Sequence, residues 1–218
     1  NYAGIQQLVR ASIATLDSAG QGQSVYAAKL WSWIAVSHLK QNQFADVLTA
    51  YQESIRLFEK NHFKGAGLAY AYKNAAQIYL RYSNDRKAIS YLETALRRDT
   101  GRSQNLSIYA HLTSSYLFLD SLEAAERCFQ SGLLEPRDNP AYLASFNSSG
   151  AALALRKNDF ATARQLTLQA LAYYQRNPEN CDQRLRALTT LAEIESRQNK
   201  PRDAESYFQK AEAEGKNF

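Results

Sequence analysis

Histidine, cysteine and paired carboxylates are the side chains from which catalytic and metal sites are usually built, and this sequence scatters them. The three histidines, His38, His62 and His111, are far apart and form no H-E-x-x-H pair that one helix face could offer to a metal. Cys128 and Cys181 are too few for a disulfide framework or a four-thiolate zinc site, and neither has a histidine nearby in sequence to activate it. No glycine-rich phosphate loop and no G-x-S-x-G elbow is present. The residues therefore predict no enzyme, no metal site and no cofactor. His38 reads as a packing residue, whereas His111 is the histidine expected to face a ligand.

Charge and composition narrow the partners. Lys and Arg total 26 against 21 Asp and Glu, a net charge of +5 that permits acidic ligands without demanding them. Every apolar stretch is broken well before the roughly 18 consecutive residues of a bilayer span, so no membrane partner is expected. The chain starts at Asn1 and has no methionine, which suggests a piece of a longer or processed polypeptide with localisation signals elsewhere. A cytoplasmic setting is favoured and the compartment is otherwise open. The 14 tyrosines could stack on single-stranded nucleic acid. Tyr72, Tyr79, Tyr109 and Tyr116, however, fall in helical packing stripes, which makes nucleic acid the weaker reading.

The elements that must position any site are helices. Only 4 prolines and 9 glycines, with abundant Ala, Leu, Gln, Arg and Glu, favour helix throughout. Tyr72, Ala75, Ala76 and Tyr79 form one helical stripe, a polar break follows at 83–85, and Ala88, Leu92, Ala95 and Leu96 form the next. The pattern recurs, and small residues mark it: Ala35 and Val47, Ala76 and Ala88, Thr113 and Ala125, Ala151 and Ala163, Ala192 and Ala204 are each 12 residues apart. Successive second stripes are 37 to 41 residues apart, so insertions fall between hairpins. A constant interior with variable joins describes stacked helical hairpins. Small residues at these points let two helices approach to the near end of the usual 8–10 Å separation.

Asp120 with Glu123, and Asp159 before "FATARQ", read as helix-opening caps, and Asn139 with Pro140 suits a helix entry. "RDTGRS" at 98–103 and "NPEN" at 177–180 read as connectors. Ile5, Leu8, Val9, Ile13 and Leu16 have the spacing of one amphipathic helix ahead of the first hairpin. "AEAEGKNF", the polar end of the chain, suits a cap on the last hairpin.

The stripes from Trp31 to Tyr51, Tyr72 to Leu92 and Tyr109 to Phe129 resemble the tetratricopeptide repeat family, with its large residue, leucine and small residue, tyrosine, then alanine and aromatic. The step exceeds the usual 34 residues of that family, and Ala154 and Glu195 stand where it has tyrosine. The implied fold is all-α: a right-handed α-solenoid of about five helix-turn-helix repeats plus an N-terminal helix. It is read as a single superhelical domain over 1–218, with a capping helix or half repeat at 1–20 and repeats at 24–62, 64–99, 103–136, 139–177 and 180–214.

Stacked hairpins bind on the concave side, which the first helix of each lines. That face is expected to carry Lys29 and Trp33, then Tyr70, Lys73, Asn74 and Gln77. His111 and Ser114, Ser145 and Ser149, and finally Arg186 and Glu193 continue it. Its cations and small hydroxyl floor suit a protein or peptide partner, with an acidic segment or a chain terminus fitting best. The resemblance also implies an effector domain on the same polypeptide. Ser145 and Ser149 stand where a carboxylate clamp of that family would need cations, so a chaperone-tail partner is disfavoured. The expected function is a non-catalytic interaction scaffold, and the alternative is a self-associating assembly module.

Overall fold

Residues that favour helix, interrupted only by short polar breaks, give a chain whose regular structure is helical throughout the described residues. The computed structural model describes residues 2–216. Asn1, Asn217 and Phe218 lie outside the described residues, as do the side chains of Tyr2, Ala3 and Ile5; these include Ile5 of the expected N-terminal stripe and the last residues of the polar end. A lone helix, α1 (Tyr2–Ser18), precedes five hairpins. These are α2 (Val25–Lys40) with α3 (Phe44–Lys60), α4 (Ala66–Arg81) with α5 (Asp85–Arg98), and α6 (Asn105–Phe118) with α7 (Leu122–Gly132). The last two are α8 (Pro140–Arg156) with α9 (Phe160–Gln175), and α10 (Cys181–Arg197) with α11 (Pro201–Gly215). The chain forms two compact units, Asn1–Ile108 and Tyr109–Phe218, which divide within α6.

The twelve-residue ruler has a structural cause. All ten marker residues are buried, the most exposed being Ala204 at 5%. In α5, Ala88, Leu92 and Ala95 are all at 0%, so the alanines sit where the two helices of a hairpin touch. A larger side chain there would overfill the crossing at a cost of about 1–3 kcal/mol.

The turns are equally constant. Asn42, Ser83, Asp120, Asn158 and Asn199 all have φ between 53° and 59°, and each lies seven residues after the first marker of its hairpin. The following N–H donates back to a carbonyl near the helix end: Gln43 to His38, Asn84 to Tyr79, Ser121 to Tyr116, Asp159 to Ala154 and Lys200 to Glu195, at 2.8–3.0 Å. This six-to-one bond around a left-handed residue is the Schellman ending of a helix. It satisfies the carbonyls that a helix end leaves open and fixes the angle at which the next helix returns. His62, at φ 51°, does the same after α3, with Phe63 N–H donating to the Phe58 carbonyl at 2.9 Å.

The turn geometry overturns one expectation. Asp120 does not open α7; it is the left-handed residue, and Ser121 takes the capping position without a side-chain bond to the helix. The Asp120 carboxylate instead accepts from the Arg156 guanidinium. Asp159 does cap α9, accepting from Thr162 N–H, and Asn139 caps α8 ahead of Pro140, accepting from Ala141 and Tyr142 N–H.

In the first unit Ile34, Ala35, Val47, Tyr51, Phe58 and Leu68 make up much of the core. Ser54 is fully buried between α2 and α3, where its hydroxyl donates to the Ala28 carbonyl at 2.7 Å and meets Ser32 at 2.8 Å. His38 is buried, with Nδ1 2.6 Å from Gln43 Oε1 and Nε2 3.0 Å from Gln6 of α1, as suits a packing residue.

In the second unit α7 and α8 approach so closely that two glycines are needed. A Cβ on Gly132 would fall 2.3 Å from the Phe146 ring, and one on Gly150 would fall 2.3 Å from the Phe129 ring. Those two rings stack on each other with centroids 4.6 Å apart. Glu195, at the slot filled by His38 and Tyr79 in earlier hairpins, is 2% exposed. Arg164 Nε donates to it at 2.9 Å and Lys200 lies 3.5 Å away. The Arg164 hydrogen bond holds its carboxyl below the usual carboxylate range, despite burial.

Candidate functional site

In the first unit, α2 presents Lys29, Ser32, Trp33 and Val36 along one stripe, the i, i+3, i+4, i+7 spacing of a single helix face. Trp33 is 61% exposed, although Ile34 and Ala35 beside it are buried. Opposite stands α4 with Gly67 and Tyr70, and Phe58 of α3 forms the floor, enclosing a cleft of about 370 Å³. Gly67 keeps this floor open: a Cβ there would lie 3.2 Å from the Phe58 ring.

A second cleft of about 480 Å³ lies between α1 and α2, lined by Leu16, Tyr26 and Leu30 among others. Lys29 and Trp33 line both clefts and form the ridge between them. The Lys29 ammonium lies 5.7 Å from the Tyr26 ring, close enough for a cation–π contact. Among the described residues no carboxylate lines either cleft.

Beyond Tyr70 the α4 stripe turns inward. Lys73 is only 4% exposed, and its ammonium donates to Gln104 Oε1 at 2.9 Å and lies 5.2 Å from the Tyr70 ring. Burial pulls its pKa down from 10.5 to about 8, partly opposed by the negative charge of Asp99. Asp99 is itself 4% exposed and accepts from Gln104 N–H at 2.6 Å. Tyr51, whose phenol burial pushes up, meets Tyr70 and Asn74. Asn74 and Gln77 are half-buried. The structure thus brings Lys29, Trp33 and Tyr70 together at an open cleft, while Lys73 belongs to a buried polar cluster behind it.

The candidates of the second unit are spread over three helices. His111 is half-buried and Ser114 exposed on α6; Ser145 is half-buried on α8. Ser149 is 4% exposed, and its hydroxyl donates to the Phe146 carbonyl at 2.8 Å, inside its own helix. On α10, Arg186 is exposed and Glu193 pairs with Arg197 at 3.1 Å. None of the six lines the cleft described in this unit, which lies between α8 and α9.

Sequence reasoning passed over Tyr26 and Phe58. Tyr26 was within reach, since it sits three residues before Lys29 and seven before Trp33 on the same face. Phe58 carried no such signal, because it belongs to a second helix and reads as core. Among the described residues no group of three His, Cys, Asp or Glu side chains is placed to hold a metal ion, and no helix is long and apolar enough to cross a membrane.

Comparison with known proteins agrees with this geometry. Residues 26–101, which hold α2 to α5, match the tetratricopeptide repeat family. The hairpins on both sides of the unit boundary share the ruler and turn of that stretch. No curated protein sequence matches it. BtubC (BKLC) from P. vanneervenii is similar in structure, with a TM-score of 0.72 at 17% identity over 99% of this chain and 90% of that one. NprR in complex with its cognate peptide NprX gives 0.64 at 17% identity over 93% and 60%. A signal transduction ATPase with a tetratricopeptide repeat sensor, from Pyrococcus horikoshii, gives 0.67 at 19% over 98% and 34%. At these identities the likeness is one of fold, and the chain spans about a third of the ATPase and less than two thirds of NprR.

Proposed function

We propose that the chain is a non-catalytic interaction module whose first unit binds a peptide segment of a partner protein across the ridge made by Trp33. The observation that carries this is the exposure of Trp33 between two apolar clefts. A large aromatic is left facing water on a helix whose neighbouring residues are buried, as in the anchor residues of binding surfaces. Clefts of this size suit bulky apolar side chains on the partner. Lys29, with no carboxylate among the described residues of either cleft, favours an acidic group beside them, or a chain terminus. The NprR–NprX complex, in which a similarly folded chain holds a peptide, supports the same reading.

The test is a peptide array probed with the wild-type chain, followed by titration of the selected peptides. Trp33→Ala is expected to weaken them by about tenfold or more, the scale of an aromatic anchor, with the fold retained because the side chain is exposed. Lys29→Glu should weaken acidic peptides selectively. Selected peptides that bind both variants as tightly as wild type would move the site elsewhere.

A further inference from the structure

The second unit carries a cleft that the expected binding face does not include. It measures about 450 Å³ and lies where α8 begins and α9 ends, at the open end of that hairpin. The preceding helix is short: α7 has 11 residues, whereas α3, α5, α9 and α11 have 14 to 17. After Gly132 the chain leaves helix before α8 begins at Pro140.

Its walls have a definite chemistry. Leu143, Ala172 and Tyr173 give it apolar walls, Arg137 and Arg176 also line it, and among the described residues no carboxylate does. The Arg176 guanidinium has no partner among the described residues, and that of Arg137 donates only to the Leu133 carbonyl, at 3.3 Å. Asn147 Nδ2 donates to Gln169 Oε1 at 3.2 Å, linking the two helices. That bond uses one donor of Asn147 and the acceptor of Gln169, so the Asn147 carbonyl oxygen and the Gln169 amide nitrogen keep the acceptor and donor chemistry of a peptide group.

We propose that the α8–α9 cleft is a second binding site, which takes an extended acidic peptide segment through a bulky apolar side chain. The apolar side chain fills the pocket over Ala172, its backbone pairs with Asn147 and Gln169, and flanking carboxylates meet Arg137 and Arg176. Arginine suits this task because its planar fork binds a carboxylate through two hydrogen bonds.

The probe is a fluorescein-labelled, end-capped hexapeptide of sequence EDLFED, followed by anisotropy against the intact chain. Saturable binding to wild type is expected. The double variant Arg137→Glu with Arg176→Glu should weaken it by about tenfold or more, as reversal of paired charges does. Ala172→Trp, which fills the pocket from an exposed position and leaves the charges intact, should weaken it to a similar degree. Because the Trp33 ridge also suits acidic apolar peptides, the titrations are repeated in a Trp33→Ala background, where the losses caused by both cleft variants should persist.

Absence of saturable binding would overturn the proposal, as would unchanged affinity in either cleft variant. Equal binding of the charge-reversed peptide KKLFKK would do so as well. Displacement of EDLFED by a short oligonucleotide at matching concentration would show that the arginines serve phosphate rather than carboxylate.

Discussion

Gly150→Ala places one methyl group where α7 and α8 touch, and its effect can be worked out from the distances. In the middle of α8, alanine gains about 1 kcal/mol over glycine in helix propensity. Against this, the new Cβ would lie 2.3 Å and 2.6 Å from two atoms of the Phe129 ring and 3.1 Å from Leu166. An ordinary contact needs at least about 3.5 Å, so the ring must retreat by about 1 Å or more. It cannot retreat toward Phe146, which is stacked against it and 1% exposed. Swinging outward would forfeit that stacking, about 0.5–1.5 kcal/mol, and part of a burial contribution of about 1.5–3 kcal/mol. The net expectation is a loss of about 1–3 kcal/mol, read as a shift in the urea midpoint of the second unit. The double variant Gly150→Ala, Phe129→Leu removes the obstructing ring, so its stability should exceed that of Phe129→Leu alone by most of the helix gain. If Gly150→Ala by itself leaves stability unchanged or raises it, the close approach does not constrain this crossing and the reasoning is refuted.

Three further perturbations address other parts of the structure. Ser83→Gly should raise stability by about 0.5–1 kcal/mol in urea denaturation, because Ser83 holds a left-handed backbone at φ 53° that glycine adopts without strain. Lys73 loses its proton near pH 8 when folded and near 10.5 when unfolded, so the unfolded chain binds more protons in that window and stability should rise with pH across it. The difference in urea midpoint between wild type and Lys73→Met should track that rise, and a constant difference would contradict the buried ammonium. Glu195→Gln should cost about 1–3 kcal/mol at pH 7, the scale of a hydrogen bond to a charged group. The folded carboxyl is held low, so that contribution is present above the ordinary carboxylate range and fades as pH falls through the lowered value; a gap that widens on acidification would reverse the assignment.

Much of the fold was legible because it rests on local periodicity. The alanines at 35, 76, 88, 151 and 163 occupy contact points that only small residues fit, and their spacing is written in the chain whatever surrounds it. The turns were half legible: polar breaks showed where each helix ends, and asparagine at 42, 158 and 199 hinted at left-handed backbone. Asp120 misled because aspartate serves both a cap and a left-handed turn, and the residue type alone does not separate them.

The candidate site divides along the same line. A helix stripe predicted that Lys29, Trp33 and Tyr70 share a face, since both periodicity and exposure follow from α2 and α4 themselves. Which residues of a stripe stay in water depends on how far the next helix reaches over them. Sequence therefore placed Lys73 beside Tyr70 and could not foresee its burial against Gln104, contributed by the chain 31 residues later. The α8–α9 cleft opens at the start of α8, after an 11-residue α7 whose length sequence does not sharply define at its C-terminal end. By itself the sequence determined five helical hairpins with one internal spacing, because those are properties of neighbours along the chain. Tertiary structure alone decided which cation is buried, where Phe58 becomes a floor and where a cleft opens, because each depends on surfaces that meet only once the helices have packed.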